Sequence, residues 1–434
     1  MRRTLMALAL AAAVAGPAGA TAPRTTVADL GGIRAYAHAD QGSPLAAVEL
    51  FVRAGLDRQT AGQSGLAALV AESVLRTPVA ARSADAGPAV PLTDAVDARG
   101  ASISYVVAAQ HVRFYLEGTP DGLAAAGPLV ARALAAPAFD AAVFAAARAA
   151  LTERIATETG DPRFVGLQLL RSSFYRAAAG QPPLGDPGSL AALTAADAKA
   201  FFTRWYVRGN AFVAAVGRTG SVTDLAGRAV AQALAAGTVP DATIATRPFG
   251  AQPRRIVTHR DVGAPYVAVG FAAPALGDRD FPAALVLRAL LAGVFERPGA
   301  TTQPALFRPA GTIYGYDTAP AQLVLWINGG RLDPEQGLTS VDTFVKRAAA
   351  KPLAAAVLTR YKETARGTWA LEAVSLDERA FAIGNAVAHG LDADAAGDVR
   401  NAIARVTAAD VQRVAKKYFQ KFDVALVMPR ASEN

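Results

Sequence analysis

The side chains that could do chemistry in this 434-residue chain are few. It has four histidines, His38, His111, His259 and His389, and no cysteine. Without cysteine there are no disulfides, thiolate zinc sites, iron–sulfur clusters or cysteine nucleophiles. Two histidines four apart on one helical face could share a zinc ion, with an adjacent Glu activating the bound water. No histidine here has a second one at that spacing. His38 is followed by Ala, Asp and Gln, and His111 by Val, Arg and Phe; His259 precedes Arg and Asp, and His389 ends a helical pattern before Gly390. Ser64 sits in Gly62-Gln63-Ser64-Gly65, which lacks the G-x-S-x-G nucleophile elbow. No P-loop or Rossmann glycine fingerprint occurs. The histidines read as structural.

The elements around these residues are those of an ordered, exported protein. The chain is 52% hydrophobic and 18% charged, outside the composition of disordered chains, and is long enough for two or more domains. Its net charge of +8 comes from scattered Arg residues with no long basic run, which implies a solvated surface and no nucleic-acid partner. Residues 1–20, MRRTLMALALAAAVAGPAGA, combine a basic start, an apolar stretch and a small-x-small end. These are the parts of a secretory signal peptide. Its apolar run is well short of the roughly 20 residues of a membrane span. The expectation is an exported, periplasmic, soluble chain with no membrane span once the signal is removed.

A repeat sets the organisation. Residues 193–217, LTAADAKAFFTRWYVRGNAFVAAVG, and 406–429, VTAADVQRVAKKYFQKFDVALVMP, share Thr-Ala-Ala-Asp at an offset of 213. In each, Thr followed by Asp three residues later predicts a capped helix, then a turn and a buried strand. Residues 44–53 and 265–273 both read as strands, each followed by a loop and a helix, 65–76 and 281–291. Further helices are expected over 129–134, 141–157, 164–177, 338–349, 353–374 and 376–389, and paired strands over 102–116. The predicted fold class is α+β: two homologous domains, each a mostly antiparallel sheet with helices packed on one face. Their expected bounds are 24–240 and 256–434, joined by a linker over 241–255.

These pieces, in this order, resemble the pitrilysin/insulinase family of zinc peptidases over nearly the whole mature chain. The resemblance rests on residues 180–217, GQPPLGDPGSLAALTAADAKAFFTRWYVRGNAFVAAVG, on 65–78, GLAALVAESVLRTP, and on 306–317, LFRPAGTIYGYD. Active members carry His-x-x-Glu-His on the first helix and a further Glu on a later one. Carried over, the first His position is Ala68, the general-base position Ala71 and the second His position Glu72; the later Glu is kept as Glu153. Two carboxylates without imidazole make a poor zinc site, and Ala71 cannot take a proton. Alanine at both positions is also what an ordinary helix carries. Glu72 and Glu153 are expected to be solvated or paired with a nearby Arg such as Arg76 or Arg148. The aromatic pair Trp205-Tyr206 is expected in the core.

The resemblance implies a place for such a chain. In two-chain members, one chain bears the zinc site and the other supplies chamber wall and substrate contacts. There an Arg and a Tyr of a second-half domain assist the facing zinc site. The Tyr position matches Tyr314. Arg308 is the candidate Arg, one residue closer than the family spacing. The expectation is a chain with no metal site and no cofactor of its own, whose partner is a catalytic zinc-peptidase subunit with His-x-x-Glu-His that cleaves unstructured peptides. The alternative is a catalytically inert structural or peptide-binding scaffold of the same fold.

Overall fold

The structure is a computed structural model describing residues 24–80, 88–238, 252–295, 310–315, 321–328 and 333–430. The segment read as a signal peptide, and residues 241–251 of the expected linker, lie outside the described residues. Arg255, read as the last linker residue, is already the first residue of a strand.

The first half contains β1 (Thr26–Asp29), β2 (Arg34–Ala39), β3 (Ala46–Val52), α1 (Leu66–Arg76), the short pair β4 (Pro78–Val79) and β5 (Val90–Pro91), α2 (Leu92–Asp97), β6 (Ala101–Val107), β7 (Val112–Gly118), α3 (Pro120–Ala135), α4 (Ala141–Gly160), α5 (Pro162–Phe174), α6 (Pro187–Ala192), α7 (Ala195–Trp205), β8 (Ala211–Gly217) and α8 (Gly220–Ala233). The second contains β9 (Arg255–Arg260), β10 (Tyr266–Ala273), α9 (Phe281–Phe295), β11 (Ala310–Gly315), β12 (Ala321–Asn328), α10 (Pro334–Ala350), α11 (Ala355–Leu371), α12 (Leu376–Ala388), α13 (Ala395–Arg405), α14 (Ala408–Tyr418) and β13 (Phe422–Pro429).

Two sheets result. The first runs β1-β2-β8-β3-β7-β6 and the second β11-β12-β10-β13-β9. With β1 set aside, they have the same order and the same senses. β2–β8 and β9–β13 are parallel, and every other neighbouring pair in both sheets is antiparallel. The repeat seen in the sequence is therefore a repeat of topology. Its Thr-Ala-Ala-Asp signatures are two capping boxes. Thr194 accepts the Asp197 N–H at 3.2 Å, and Thr407 accepts the Asp410 N–H at the same distance. Each Asp carboxylate reaches back to its Thr N–H. Asn210, between α7 and β8, is 1% exposed and donates to the carbonyls of Trp205 and Arg53, which fixes the turn into the strand. Trp205 and Tyr206 lie in the core, as expected.

The layers are less simple than one helical face per sheet. Along β3, Ala46, Val48, Leu50 and Val52 face the helices of the first half. Ala47 and Phe51 point the other way and pack against Leu376, Ala380 and Ile383 of α12, which belongs to the second half. Reciprocally, α5 of the first half lays Val165 and Leu170 on Tyr266, Ala268 and Val324 of the second sheet. Each half thus closes the open face of the other's sheet with one helix. This is why β8 and β10 read as continuous apolar runs rather than alternating ones, and β3 as a run broken only by Glu49.

Both exchanged helices carry a glycine at the crossing. A Cβ on Gly166 of α5 would lie 2.7 Å from the Tyr266 ring, and one on Gly384 of α12 would lie 2.0 Å from the Phe51 ring. Further ties cross the seam: Arg379 to Asp40 at 2.5 Å, Thr25 Oγ1 to Asp394 at 2.6 Å, and Ser173 to Asp423 at 2.5 Å.

Candidate active site

The helix that matches the metal-bearing position, α1, is held on all sides. Gly65 begins it with φ of 88°, and a side chain there would strike the Leu184 carbonyl at 2.7 Å. The Gln59 side chain accepts the Ala67 N–H at 2.7 Å and satisfies one of the free donors of the first turn. From there α1 runs between β6, α3, α4 and α7. Ala68 and Ala71 are fully buried methyl groups in the first core.

Glu72 is half-buried. Its carboxylate takes Arg76 Nε at 2.7 Å, one turn along the helix, so of the two arginines considered it is Arg76 that pairs. Arg148 instead donates to the Leu193 carbonyl at 2.6 Å and lies over the Phe144 ring. The buried Tyr105 phenol faces Glu72. Burial, and then the Glu72 charge, hold its pKa well above the ordinary value. The Arg154 guanidinium lies 5.8 Å from the centre of the Tyr105 ring and pairs with Glu158 at 3.4 Å. Glu153 is exposed on α4.

The position that would offer two imidazoles and a base to a cation therefore offers two methyl groups and a carboxylate already bound to a guanidinium. Zinc prefers imidazole or thiolate donors in a tetrahedral set, and these residues do not fit it. Among the described residues, no group of three His, Cys, Asp or Glu could hold a metal ion. In the second half an ion pair joins α9 to the residue that follows α11. Arg288, 9% exposed, meets Glu372 at 2.6 Å and donates to Thr312.

Among the described residues the histidines form no ligand set: His389 follows α12 with Nδ1 2.8 Å from the Asn385 carbonyl, near enough to His111 to act on its charge. His259 is exposed on β9. His38 lies at the seam, where burial lowers its pKa. His111 is 1% exposed, lies tilted against Phe51 with ring centres 5.1 Å apart, and has neither ring nitrogen hydrogen-bonded among the described residues. Burial holds it neutral, with a pKa of about 3. Close by, Glu49 on β3 is fully buried and takes Arg113 at 2.5 Å; burial pushes its carboxyl up to about 8 against the pull of Arg113. Glu49 was open to detection as the one charge within the run AAVELFV.

Tyr314, on β11, is in the second core. Its hydroxyl donates to the Pro274 carbonyl at 2.7 Å, and its ring meets the edge of Phe281 at 5.3 Å. In this geometry the phenol proton is committed within the chain. Arg308 lies outside the described residues.

No protein-family model matches the sequence, and no curated protein does. Solved structures do match. A protease from Helicobacter pylori superposes with a TM-score of 0.79 at 16% identity, over 94% of this chain and 100% of that one. A peptidase M16 inactive domain from Pseudomonas fluorescens gives 0.78 at 16% identity, over 95% and 99%. A chain of complex III2 from Candida albicans gives 0.73 at 15% identity, over 93% and 95%. This chain therefore has the fold shared by these M16-type, or pitrilysin-like, peptidases and a chain of complex III2.

Proposed function

We propose that the chain is the non-zinc-binding subunit of an exported heteromeric zinc metallopeptidase. In this reading it forms chamber wall and substrate contacts for a partner chain bearing His-x-x-Glu-His that cleaves unstructured peptides. One observation carries the proposal. The two-half fold is complete, while the metal position holds buried Ala68 and Ala71 and a Glu72 tied to Arg76. A chain that has lost only its ligands keeps the surfaces through which it would enclose a chamber. Zinc, in this reading, belongs to the partner.

The test is co-expression with a His-x-x-Glu-His chain encoded beside it in the source genome, followed by affinity purification, metal analysis and a peptide-cleavage assay. The expected result is a stoichiometric complex holding one zinc per pair and cleaving peptides in a metal-dependent way. Failure to form a complex refutes the proposal. Export is checked separately: the mature N-terminus should begin at Thr21.

A second reading, an inert scaffold of the same fold, is favoured by Tyr314. Its hydroxyl is engaged with Pro274 rather than offered to a neighbour, and the complex III2 chain has the same fold. A stable complex without peptide cleavage would support it.

A further inference from the structure

A cavity of about 270 Å³ lies at the seam between the halves, bounded by β2 and β8 on one side and α11, α12 and α13 on the other. That is the share of roughly nine waters at ~30 Å³ each, and smaller than a drug-sized pocket. Its floor is apolar: Val216, Trp369, Ala382, Ile383 and Ala393. Leu371 and Val374, 73% and 66% exposed, neighbour it in sequence.

The charged groups on its wall divide into two kinds. Arg379 is engaged by Asp40 and Glu372 by Arg288. His38 adds no charge at neutral pH, because burial lowers its pKa. Two groups remain. Asp394 stands at the start of α13 but makes no cap to its own helix. Its carboxylate turns to Thr25, whose N–H and O–H satisfy it without neutralising it. Arg400, six residues further along α13, has no hydrogen bond or ion pair among the described residues.

Asp394 holds the N-cap position of α13 and Arg400 lies on it, and both line the same cavity as its apolar floor. An α-amino acid carries an ammonium group, a carboxylate and a side chain on one carbon, so it offers a charge-assisted partner to each of the two groups and an apolar one to the floor. We propose that this cavity binds a small zwitterion with an apolar side chain, of the class of free aliphatic or aromatic amino acids. Asp394 takes the ammonium group, Arg400 takes the carboxylate, and the side chain lies on the floor beside Trp369.

The full mature chain tests this by calorimetry and by tryptophan fluorescence, which Trp369 should dominate in its response. The probes are L-leucine, L-phenylalanine, glycine, N-acetyl-leucine and leucinamide. Leucine and phenylalanine should bind saturably. Glycine, the acetylated amine and the amide should each bind at least tenfold more weakly. Arg400→Gln should remove the preference for leucine over leucinamide, and Asp394→Asn the preference for leucine over N-acetyl-leucine. Both variants should melt within a few degrees of the parent. The proposal is overturned by absence of saturable binding at millimolar leucine and phenylalanine. It is equally overturned by equal affinity for the capped analogues, or by variants that leave both preferences intact.

Discussion

The contact between Gly384 and Phe51 can be measured, and its cost follows from the geometry. In Gly384→Ala the new methyl carbon would stand 2.0 Å from Phe51 Cε2 and 2.2 Å from Cζ, where carbon atoms need about 3.5 Å. The ring cannot easily retreat. It is fully buried, stacked on Phe212 with centroids 4.9 Å apart, and has His111 at 5.1 Å. The change is met by α12 lifting from the first sheet by about 1.5 Å. Overpacking of this kind costs about 1–3 kcal/mol, and a misfit this deep belongs at the upper end. Replacing glycine by alanine inside a helix returns about 1 kcal/mol, so the net loss is about 2 kcal/mol. Gly367 on α11 is the control, because nothing lies within 4 Å of a Cβ placed there; Gly367→Ala should stabilise by up to about 1 kcal/mol. Denaturant midpoints and protease susceptibility of both variants would be compared with the parent. Phe51→Leu in the Gly384→Ala background should recover at least about 1 kcal/mol relative to additivity, as expected of residues in direct contact. If Gly384→Ala instead behaves like Gly367→Ala, α12 does not seat on Phe51 as described and the account of the seam is wrong.

Other outcomes follow from single sites. Tyr314→Phe leaves the Pro274 carbonyl without its donor and should lower stability by about 1–2 kcal/mol; an unchanged denaturation midpoint would return the phenol to the list of groups free to meet a substrate. Thr407→Ala, which removes the cap of α14, should cost about 1 kcal/mol, read from the same midpoint. Glu49 has its folded pKa raised to about 8, so the folded state holds its proton where the unfolded state has released it. The contribution of Glu49 to stability should fall as pH rises from about 4.5 to 8 and level off above. In Glu49→Gln that fall should shrink by more than 1 kcal/mol between pH 5 and pH 8; parallel urea-midpoint profiles would refute the assignment. His111, with its folded pKa lowered to about 3, acts in the opposite sense. It costs stability as pH falls below about 6.5, so acid and base limbs should flank a plateau near pH 4.5–6.5.

Much of this was readable from the chain itself. Thr194 with Asp197 and Thr407 with Asp410 announced two capped helices because a capping box is local chemistry. The apolar run at β3 and the alternation of β6 and β7 announced strands in the same way. The absence of a His-x-x-Glu-His pattern could be read from the sequence alone, because that ligand set needs particular residue types at fixed spacing. What periodicity cannot report is the partner of an apolar face. The patterns of α5 and α12 said that one side of each is buried, but not that it is buried on the other half's sheet. Helix α3 begins at Pro120, earlier than the expected 129, because Thr119 caps it and it continues through Pro128. An internal proline ordinarily argues against that. The helices α2, α6, α8 and α13 were not anticipated. The Arg288–Glu372 pair joins residues 84 apart, beyond what local spacing can show.

The reciprocal placement of α5 and α12 has a consequence for the smallest unit that can bury its own sheets. Each half offers the corresponding helix and receives the corresponding helix, on equivalent strands, with a glycine at each crossing. That is the self-complementary contact of a two-fold homodimer, here drawn into one polypeptide. A single half alone would leave one face of its sheet bare, so the smallest unit able to bury both faces is a pair. The chain has the arrangement of such a dimer tethered end to start, so a change at either crossing acts on an interface that both halves share.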